Sequence, residues 1–395
     1  MKISVVGQGY VGLPLSISAA KVGFSVVGID TNITKIESLR SGKSFIEGVS
    51  DETLCEALES KKYVPSSDFK DISSSKIVVV CVPTPLSKDQ KPDLSFLLNA
   101  TSEIGKNLSP ETLVIFESTI EPGTTRQLLL PLLVNESGLL ESDFGLAFSP
   151  ERIDPANKNW SLSNTPKIIS ALTETAAMDA KTFYDEFIES TYICSSLEVA
   201  ETAKLLENSF RLVNISYVNE LSLFCNKIGV NVNEVIAAAA TKPYGFMPFY
   251  PSLGVGGHCI PVDPVYLANA AKKVGAPTRF IDLAVRINHE MPDYYVSRAI
   301  ELIGELSEKK VLVIGVSYKP NVADVRETPV EGLIVRLEQK GAKVYWHDDL
   351  VKDWKGNSSV PLSSNFDLAI LCTPHDYLNL AKIGNVPILN TRGSV

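Results

Sequence analysis

The chain has 395 residues, which is too long for one ordinary domain and suits two or three. Its formal net charge of −9 argues against a nucleic-acid partner, because phosphate binding needs a basic surface. No apolar run is long enough to span a bilayer and no signal peptide precedes the first strand, so we expect a cytoplasmic protein without a membrane partner. The six cysteines form no C-x-x-C pair, so we expect thiols and no metal site.

The first part of the chain alternates short apolar runs with helical patterns, which indicates a parallel, doubly wound sheet. Helices are predicted at Leu13–Val22 and Ser95–Leu108. Buried strands are predicted at Ile3–Gly7, Ser25–Asp30, Lys76–Pro83, Thr112–Ser118 and Gly145–Ser149.

The middle of the chain is predicted to be helical. Over Leu197–Ile236 the apolar side chains recur at helical spacing, and Arg279–Leu306 is a second helical stretch, with a loop at Gly245–Gly257 between them. The recurring apolar residues of the first stretch are Leu205, Leu206, Phe210, Val213 and Val218.

From Lys310 a second strand–helix series begins. The predicted elements are the strand Val311–Val316, the helix Val330–Lys340, and the strands Lys343–Trp346, Leu368–Cys372 and Pro387–Asn390. The expected fold class is therefore α/β, with two Rossmann-like doubly wound parallel-sheet domains joined by a helical middle region.

Residues Gly7–Gly12 read G-x-G-x-x-G, directly after a strand and at the start of a helix. In that context Gly7, Gly9 and Gly12 allow a tight turn and the approach of a pyrophosphate to the helix N-terminus. Asp30 ends the second strand, where it would bind the adenosine ribose hydroxyls, so NAD is the predicted cofactor. NADP remains an alternative cofactor, because the nearby cation of Lys35 can tolerate a 2′-phosphate.

A second motif, Gly254–Pro264, places Cys259 behind three glycines and four residues before Asp263. Glycines let the main chain approach a ligand closely, so this thiol is predicted to be presented to a ligand and not packed away. A nicotinamide site together with a presented thiol suggests oxidation through a covalent sulfur intermediate.

With these motifs the chain resembles the nucleotide-sugar 6-dehydrogenases of the UDP-glucose/GDP-mannose dehydrogenase family over nearly its whole length. The resemblance implies oxidation of a sugar C6 alcohol to a carboxylate, with NAD⁺ used twice and no release of the aldehyde. The matching motifs are Gly7–Gly12, Val82–Pro85, Glu117–Thr119, Ser149–Arg152, Lys204–Arg211, Gly254–Pro264, Gly315–Lys319 and Asp324–Glu327.

The resemblance also implies catalytic roles. Cys259 matches the nucleophile, and Lys204 with Asn208, one helical turn apart, would stabilise the alkoxide at C6. Asp263 matches a carboxylate that positions or deprotonates a water molecule, and Glu151 matches one that activates the hydrolytic water. Thr119 would hydrogen-bond the hydrolytic water beside the nicotinamide. From the residues alone, each of these two carboxylates could also be a turn or cap residue, and Lys204 would more often be a surface lysine.

Binding roles follow from the same resemblance. His258 is expected to have a structural or substrate-contact role, since the UDP-glucose branch has serine there. Lys319 and Arg326 could also be solvated loop cations. The implied cofactor contacts are Gly7, Gly9, Tyr10, Val11, Gly12, Asp30, Lys35, Pro83, Thr84, Thr119 and Arg326. The implied substrate contacts are Glu151, Arg152, Lys204, Asn208, Arg211, Phe249, Tyr250, Gly256 and Lys319.

The substrate is predicted to be a UDP-N-acetylhexosamine. His258 before the nucleophile resembles the acetamido-sugar branch of the family. Within that branch, Thr241–Phe246 and Arg152–Pro155 resemble UDP-N-acetylglucosamine 6-dehydrogenases more than UDP-N-acetylmannosamine ones. UDP-N-acetylmannosamine, UDP-glucose, and a non-catalytic sugar-nucleotide sensor remain alternatives. The chain departs from the usual family pattern at Ser170-Ala171, Ser252-Leu253, Asn321, Ala323 and Asn390.

Three domains are expected from the resemblance: an NAD-binding domain at residues 1–196, a central helical region with the nucleophile loop at 197–304, and a UDP-binding domain at 305–395. A homodimer through the Leu197–Ile236 helices is expected, because this stretch carries more apolar surface than a thin middle layer needs.

Overall fold

The computed structural model describes residues 1–46, 48–154, 157 and 159–393. The predicted segment Arg152–Pro155 therefore ends outside the described residues, at Pro155. The chain divides into two compact units, Met1–Leu206 and Glu207–Val395, and the division falls inside one long helix, α7 (Leu197–Lys227). No helix in the described part of the chain is long and apolar enough to cross a membrane.

The first unit is built on an eight-stranded sheet with strand order β3-β2-β1-β4-β5-β6-β7-β8 among the described residues. Its strands are β1 (Lys2–Val6), β2 (Ser25–Ile29), β3 (Tyr63–Ser66), β4 (Ile77–Val80), β5 (Leu113–Phe116), β6 (Gly145–Phe148), β7 (Lys167–Ala171) and β8 (Thr191–Ile193). Its helices are α1 (Gly12–Lys21), α2 (Ile33–Arg40), α3 (Asp51–Glu59), α4 (Ser95–Lys106), α5 (Leu130–Ser137) and α6 (Glu174–Asp185).

Both faces of this sheet are buried, which is why its strands read as continuous apolar runs. In β4, Ile77 and Val79 pack into the core on one face, and Val78 and Val80 pack into the core on the other. The side chains alternate because successive residues of a strand point to opposite faces.

The first six strands of this order are mutually parallel, as predicted, but the last two run in the opposite direction. β7 pairs antiparallel with β6, Phe148 facing Ser170, and β8 is parallel to β7. A parallel sheet with an antiparallel edge is common, and it needs no crossover helix between β6 and β7. The reversal brings the start of β7 to the edge where the other strands end.

The second unit begins within α7 and contains a four-stranded parallel sheet of order β10-β9-β13-β14. Its helices are α8 (Val232–Ala240), α9 (Asp263–Lys273), α10 (Arg279–Ile303) and α11 (Pro329–Gln339). Its strands are β9 (Lys310–Ile314), β10 (Lys343–His347), the small hairpin β11 (Asp353–Trp354) and β12 (Asn357–Ser358), β13 (Leu368–Leu371) and β14 (Ile388–Asn390).

The structure confirms the predicted α/β class, with one mostly parallel sheet early in the chain, a helical stretch in the middle and a second, parallel sheet late. The predicted helical stretch Leu197–Ile236 consists of two helices, because Gly229 at φ 69° ends α7 before α8 starts. The segments between β2 and β4 and between β6 and α7 carry elements that the sequence pattern did not predict.

Candidate active site

The glycine loop lies between β1 and the N-terminus of α1, and two of its glycines are required sterically. A Cβ on Gly7, whose φ is +93°, would lie 2.7 Å from the carbonyl oxygen of Cys81. A Cβ on Gly12 would lie 1.8 Å from the carbonyl oxygen of Gly7. Gly9 has no atom within 4 Å of such a Cβ, so the loop leaves open space beside the helix N-terminus. This cradle fits the pyrophosphate of a dinucleotide.

Asp30, directly after β2, is tied to this loop. Its Oδ2 accepts a hydrogen bond of 2.9 Å from the backbone N–H of Gln8, and its Oδ1 accepts one from Asn32. Lys35 Nζ lies 3.9 Å from Oδ2, and 12% of the Asp30 side chain is exposed. The carboxylate is thus fixed and accessible, as a ribose-binding acid must be. Of the other predicted cofactor contacts in this unit, Tyr10 and Pro83 are exposed, Val11 is half-buried and Thr84 is buried.

Three charged side chains meet at the carboxyl edge of the sheet in the first unit. Glu117 follows β5, Glu151 follows β6, and Lys167 opens the antiparallel strand β7. Lys167 Nζ lies 3.2 Å from Glu117 Oε1 and 3.6 Å from Glu151 Oε2. The Tyr184 hydroxyl donates to Glu117 Oε1. Glu117 and Lys167 are buried, with 0% and 4% of their side chains exposed.

The burial of this cluster sets the charge of its members. Burial raises the pKa of Glu117 to about 7, although Lys167 pulls it down. Burial works to lower the pKa of Lys167, but Glu117 and Glu151 outweigh it and leave that pKa above its ordinary value. The cluster therefore holds a permanent ammonium between two carboxyl groups.

Two further predicted residues flank this cluster. Thr119 is half-buried in the loop after β5. The guanidinium of Arg152 donates a 2.7 Å hydrogen bond from Nη1 to the carbonyl oxygen of Pro166, which ties the loop after β6 to the start of β7.

Along α7 the polar catalytic candidates are buried. Lys204 and Asn208 are only 8% and 6% exposed, which agrees with their predicted place on one helical face. Arg211, a predicted substrate contact, is exposed. The apolar residues predicted on this stretch differ in exposure. Leu205 and Val218 are buried, Val213 is half-buried, and Leu206 and Phe210 are exposed.

In the second unit, Cys259 is exposed just before the first turn of α9. Its carbonyl oxygen accepts a 2.9 Å hydrogen bond from the backbone N–H of Asp263. The Asp263 side chain is 2% exposed, and its Oδ2 accepts a 2.6 Å hydrogen bond from the Asn208 amide. An amide and a carboxylate 55 residues apart in sequence are thus brought together, one helical turn after Cys259. Asp263 is therefore a buried, hydrogen-bonded carboxylate and not a surface turn residue.

The nucleophile loop packs tightly against the loop after β9. A Cβ on Gly256 would lie 2.7 Å from the carbonyl oxygen of Glu327, and one on Gly257, at φ +82°, would lie 2.7 Å from the ring of Tyr318. The Gly257 N–H also donates to the carbonyl oxygen of Arg326 at 3.1 Å. These contacts leave room for no side chain at either glycine and fix the backbone that leads into Cys259.

The charged groups around this loop affect His258. Burial lowers the pKa of His258 and Arg326 adds to the effect, against the opposing carboxylates of Asp324 and Glu327. His258 is therefore neutral at neutral pH. The Arg326 guanidinium pairs with the Asp324 carboxylate, with Nε 2.9 Å from Oδ1.

The remaining predicted substrate contacts of this unit have mixed exposure. Lys319 and Phe249 are half-buried, and Tyr250 is exposed. The rings of Phe249 and Phe210 meet edge to face with their centroids 5.7 Å apart. Within the described part of the chain, no group of three or more His, Cys, Asp or Glu residues could hold a metal ion.

The positions that depart from the family pattern fit their surroundings. Ser170 is buried in β7, and its Oγ donates to the carbonyl oxygen of Phe148 at 3.1 Å. Leu253 lies in the core of the second unit. Asn321 adopts a φ of 64°, and its N–H donates to Nδ1 of His375. The Asn390 side chain accepts from the N–H of Arg392 at 2.9 Å.

Sequence reasoning gave no role to Lys167 or Tyr184, and it treated Glu117 only as part of a motif. The available signal was a charge at the end of a buried strand: Glu117 follows the apolar run Leu113–Phe116, and Lys167 precedes Ile168. Such groups are rarely buried unless paired.

Comparison with known proteins assigns the family. Residues 1–188 match the NAD binding domain of the UDP-glucose/GDP-mannose dehydrogenase family, residues 198–290 its central domain, and residues 312–389 its UDP binding domain.

Similar proteins cover nearly the whole chain. The UDP-N-acetyl-D-glucosamine 6-dehydrogenase of Pseudomonas aeruginosa is 37% identical over 87% of this chain and 82% of its own. The UDP-N-acetyl-D-mannosamine dehydrogenase of Pyrococcus horikoshii is 36% identical over 92% and 89%. The solved structure of UDP-D-ManNAc dehydrogenase from Pyrococcus horikoshii superposes with a TM-score of 0.91 at 33% identity, covering 99% of this chain and 95% of the other.

Proposed function

The chain belongs to the UDP-glucose/GDP-mannose dehydrogenase family of NAD-dependent nucleotide-sugar dehydrogenases, and we propose that it oxidises the C6 alcohol of a UDP-N-acetylhexosamine to the uronate. The best candidate substrate is UDP-N-acetylglucosamine. The observation that carries the proposal is the exposed Cys259 beside Asp263, whose buried carboxylate accepts from the Asn208 amide at 2.6 Å.

Bound NAD⁺ supplies the hydride acceptor in both oxidations. The first oxidation gives an aldehyde, and Lys204 with Asn208 stabilises the oxygen of the substrate as it gains negative charge. The Cys259 thiolate adds to the aldehyde carbon and forms a thiohemiacetal. Loss of a second hydride gives a thioester, which water then hydrolyses to the carboxylate and the thiol. Asp263 orders the polar groups beside Cys259.

Glu151 is proposed to activate the hydrolytic water, with Thr119 as a hydrogen-bond partner of that water. Its Oε1 accepts from the backbone N–H groups of Arg152 and Ile153 at 2.7 and 2.5 Å. Its buried Oε2 accepts no hydrogen bond from any described residue, so this oxygen is available to take a proton from water.

Substrate choice rests on similarity and on the residues before the nucleophile. The Pseudomonas aeruginosa relative, at 37% identity, acts by its name on UDP-N-acetylglucosamine. UDP-N-acetylmannosamine is the second candidate, because the Pyrococcus horikoshii relative is 36% identical and its structure superposes closely. NADH production with UDP-glucose, UDP-GlcNAc, UDP-ManNAc, UDP-GalNAc and GDP-mannose tests the choice. Higher kcat/KM for any sugar other than UDP-GlcNAc would overturn it.

The covalent route is tested with Cys259→Ser. A hydroxyl is a much poorer nucleophile than a thiolate at neutral pH, so the variant should bind NAD⁺ and the sugar nucleotide yet fail to complete the oxidation. Wild-type enzyme should release about two NADH per sugar. One NADH per sugar would instead indicate a dehydrogenase that stops at the aldehyde, and none would indicate a sensor.

The role of Glu151 is tested with Glu151→Gln, which keeps the shape and removes the base. The expected result is a burst of about two NADH per active site followed by slow turnover, with the sugar held on Cys259. Intact-protein mass spectrometry would detect this adduct. Loss of the first NADH, with no adduct, would pass the role to Asp263.

Two further properties belong to this proposal. A homodimer through α7 and α8 is supported by the exposed apolar side chains of Leu206, Phe210, Tyr217 and Phe224. A cytoplasmic location stays a prediction.

A further inference from the structure

A buried charge cluster stands behind Glu151, and the mechanism above makes no use of it. The cluster consists of Lys167, Glu117 and Tyr184. Burying an ammonium and a carboxylate is costly even when they are paired, and neutral side chains of similar size often fill such a site as well. The cost of burying this ammonium therefore points to a role for its charge.

The sheet register explains why Lys167 reaches Glu151. β6 and β7 are antiparallel with Phe148 facing Ser170, so counting outward places residue 151 opposite residue 167. The Oγ of Ser149 donates to the carbonyl oxygen of Ile168 at 2.7 Å and ties the two segments together just beyond the paired strands. The meeting of Lys167 with Glu151 is thus built into the backbone.

The second carboxylate and the phenol hold the ammonium in place. Glu117 Oε1 lies 3.2 Å from Lys167 Nζ and also accepts from the Tyr184 hydroxyl. The Lys167 Nζ stands 4.9 Å from the centroid of the Tyr184 ring, within cation–π range. Lys167 therefore has little rotational freedom, and its charge is directed at Glu151 from one fixed point.

We propose that Lys167, anchored by Glu117 and Tyr184, is a positioning residue that fixes and electrostatically holds the Glu151 carboxylate for water activation. The proposal deepens the proposed function, since it rests on the role of Glu151 in hydrolysis. Backbone N–H groups hold Glu151 Oε1, and the Lys167 ammonium lies 3.6 Å from Oε2, within the range of an ion pair but beyond a direct hydrogen bond. Oε2 therefore keeps a lone pair for the water.

Among the described titratable groups around this ammonium, Glu117 alone competes with Glu151 for its charge. Cys81 and Tyr184 stay neutral, because burial raises the pKa of the thiol and of the phenol well above their ordinary values. Glu117, with a pKa of about 7, is the one neighbour that titrates near neutral pH in the described part of this cluster. A neutral glutamine at position 117 would keep the acceptor oxygen and leave the ammonium to Glu151 alone.

This gives a matched set of variants. Glu117→Gln removes the buried carboxylate and keeps Lys167 beside Glu151, so it is the reference with which the double variant is compared. Glu117→Gln with Lys167→Met replaces the whole ion pair by neutral side chains, which lets the unit fold, but it strips Glu151 of its cation. Lys76→Met removes an exposed lysine that pairs with exposed Glu111 at 3.2 Å, and it should behave as wild type.

The experiment follows the NADH burst in stopped flow, the steady-state turnover, and NADH binding by fluorescence as a fold control. Glu117→Gln/Lys167→Met should keep the burst and NADH binding, but lose about 10- to 100-fold in the steady state. Adding Lys167→Met to Glu117→Gln/Glu151→Gln should cause no further loss.

Three results would overturn the proposal. Steady-state turnover of Glu117→Gln/Lys167→Met equal to that of Glu117→Gln alone would show that Glu151 does not need the ammonium. A further loss on adding Lys167→Met to Glu117→Gln/Glu151→Gln would show that Lys167 acts elsewhere. A Glu151→Gln enzyme without a stalled adduct would remove the proposed role of Glu151 itself, whereas a stalled Glu151→Gln beside an unaffected lysine variant removes only this inference.

Discussion

Gly257→Ala is the sharpest test of how the nucleophile is presented. Gly257 has a φ of +82°, and a Cβ there would lie 2.7 Å from the Tyr318 ring. The left-handed backbone alone costs an alanine about 1–2 kcal/mol. Carbon atoms pack at about 3.5–4.0 Å, so the ring or the loop must move by about 1 Å. Overpacking of this size costs about 1–3 kcal/mol more.

The displacement should affect catalysis more than folding. Cys259 lies two residues beyond Gly257, and a misplacement of about 1 Å costs about 100-fold in rate. We therefore expect kcat with the UDP-sugar to fall about 100-fold, measured as NADH production, while NADH binding in the first unit stays unchanged.

Gly275→Ala is the matched control. Gly275 has a φ of +74°, but a Cβ there would meet no atom within 4 Å. It should lose only the backbone contribution of about 1–2 kcal/mol in thermal stability and keep the wild-type rate. Wild-type kcat in Gly257→Ala, or an equal loss of rate in Gly275→Ala, would refute the claim that the packing of this glycine positions Cys259.

Asp30 should make NAD⁺ the preferred cofactor, because a 2′-phosphate would face its carboxylate, and equal kcat/KM for NAD⁺ and NADP⁺ would make Lys35 the deciding group. Burial raises the pKa of Asp348, but hydrogen bonds from His375 and the backbone outweigh burial and hold this pKa at about 2, below its ordinary 3.8. A carboxyl group whose pKa is lowered by folding stabilises the fold at pH values above its pKa in the unfolded chain, and this stabilisation is lost as the pH falls. The free energy of unfolding should therefore fall by about 2 kcal/mol between pH ~4 and ~2. In Asp348→Asn the midpoint of urea unfolding should change less with pH over that range. A pH dependence equal to that of the wild type would contradict the lowered pKa of Asp348. Light scattering should give a dimer mass, and a monomer at working concentration would count against the dimer.

Much of the first unit could be predicted because its strands are buried on both faces. The runs before Gly7 and Asp30 are continuous and apolar, and glycines and acids follow them at the spacing that the dinucleotide fold requires. Local pattern and global fold agree there. The short or polar elements between β6 and α7 lacked such a pattern, and the reversal of β7 depends on pairing with β6, which no local pattern encodes.

In the candidate site, too, some features could be predicted from the sequence and others could not. Cys259 could be found from sequence because three glycines precede it, and steric demand for glycine is a local property. That Asp263 accepts from Asn208, 55 residues away, could not be found from these residues alone. Such hydrogen bonds depend on where two helices pack, and packing is decided by the whole core.

The sequence by itself determined the fold class, the glycine loop, the acid after β2 and the presented thiol, since each follows from periodicity or backbone sterics within a few residues. Only the tertiary structure decided that Lys167 is buried between Glu117 and Glu151. The charge of a buried group depends on its desolvation and its neighbours, which here come from three strand ends that meet at one edge of a sheet.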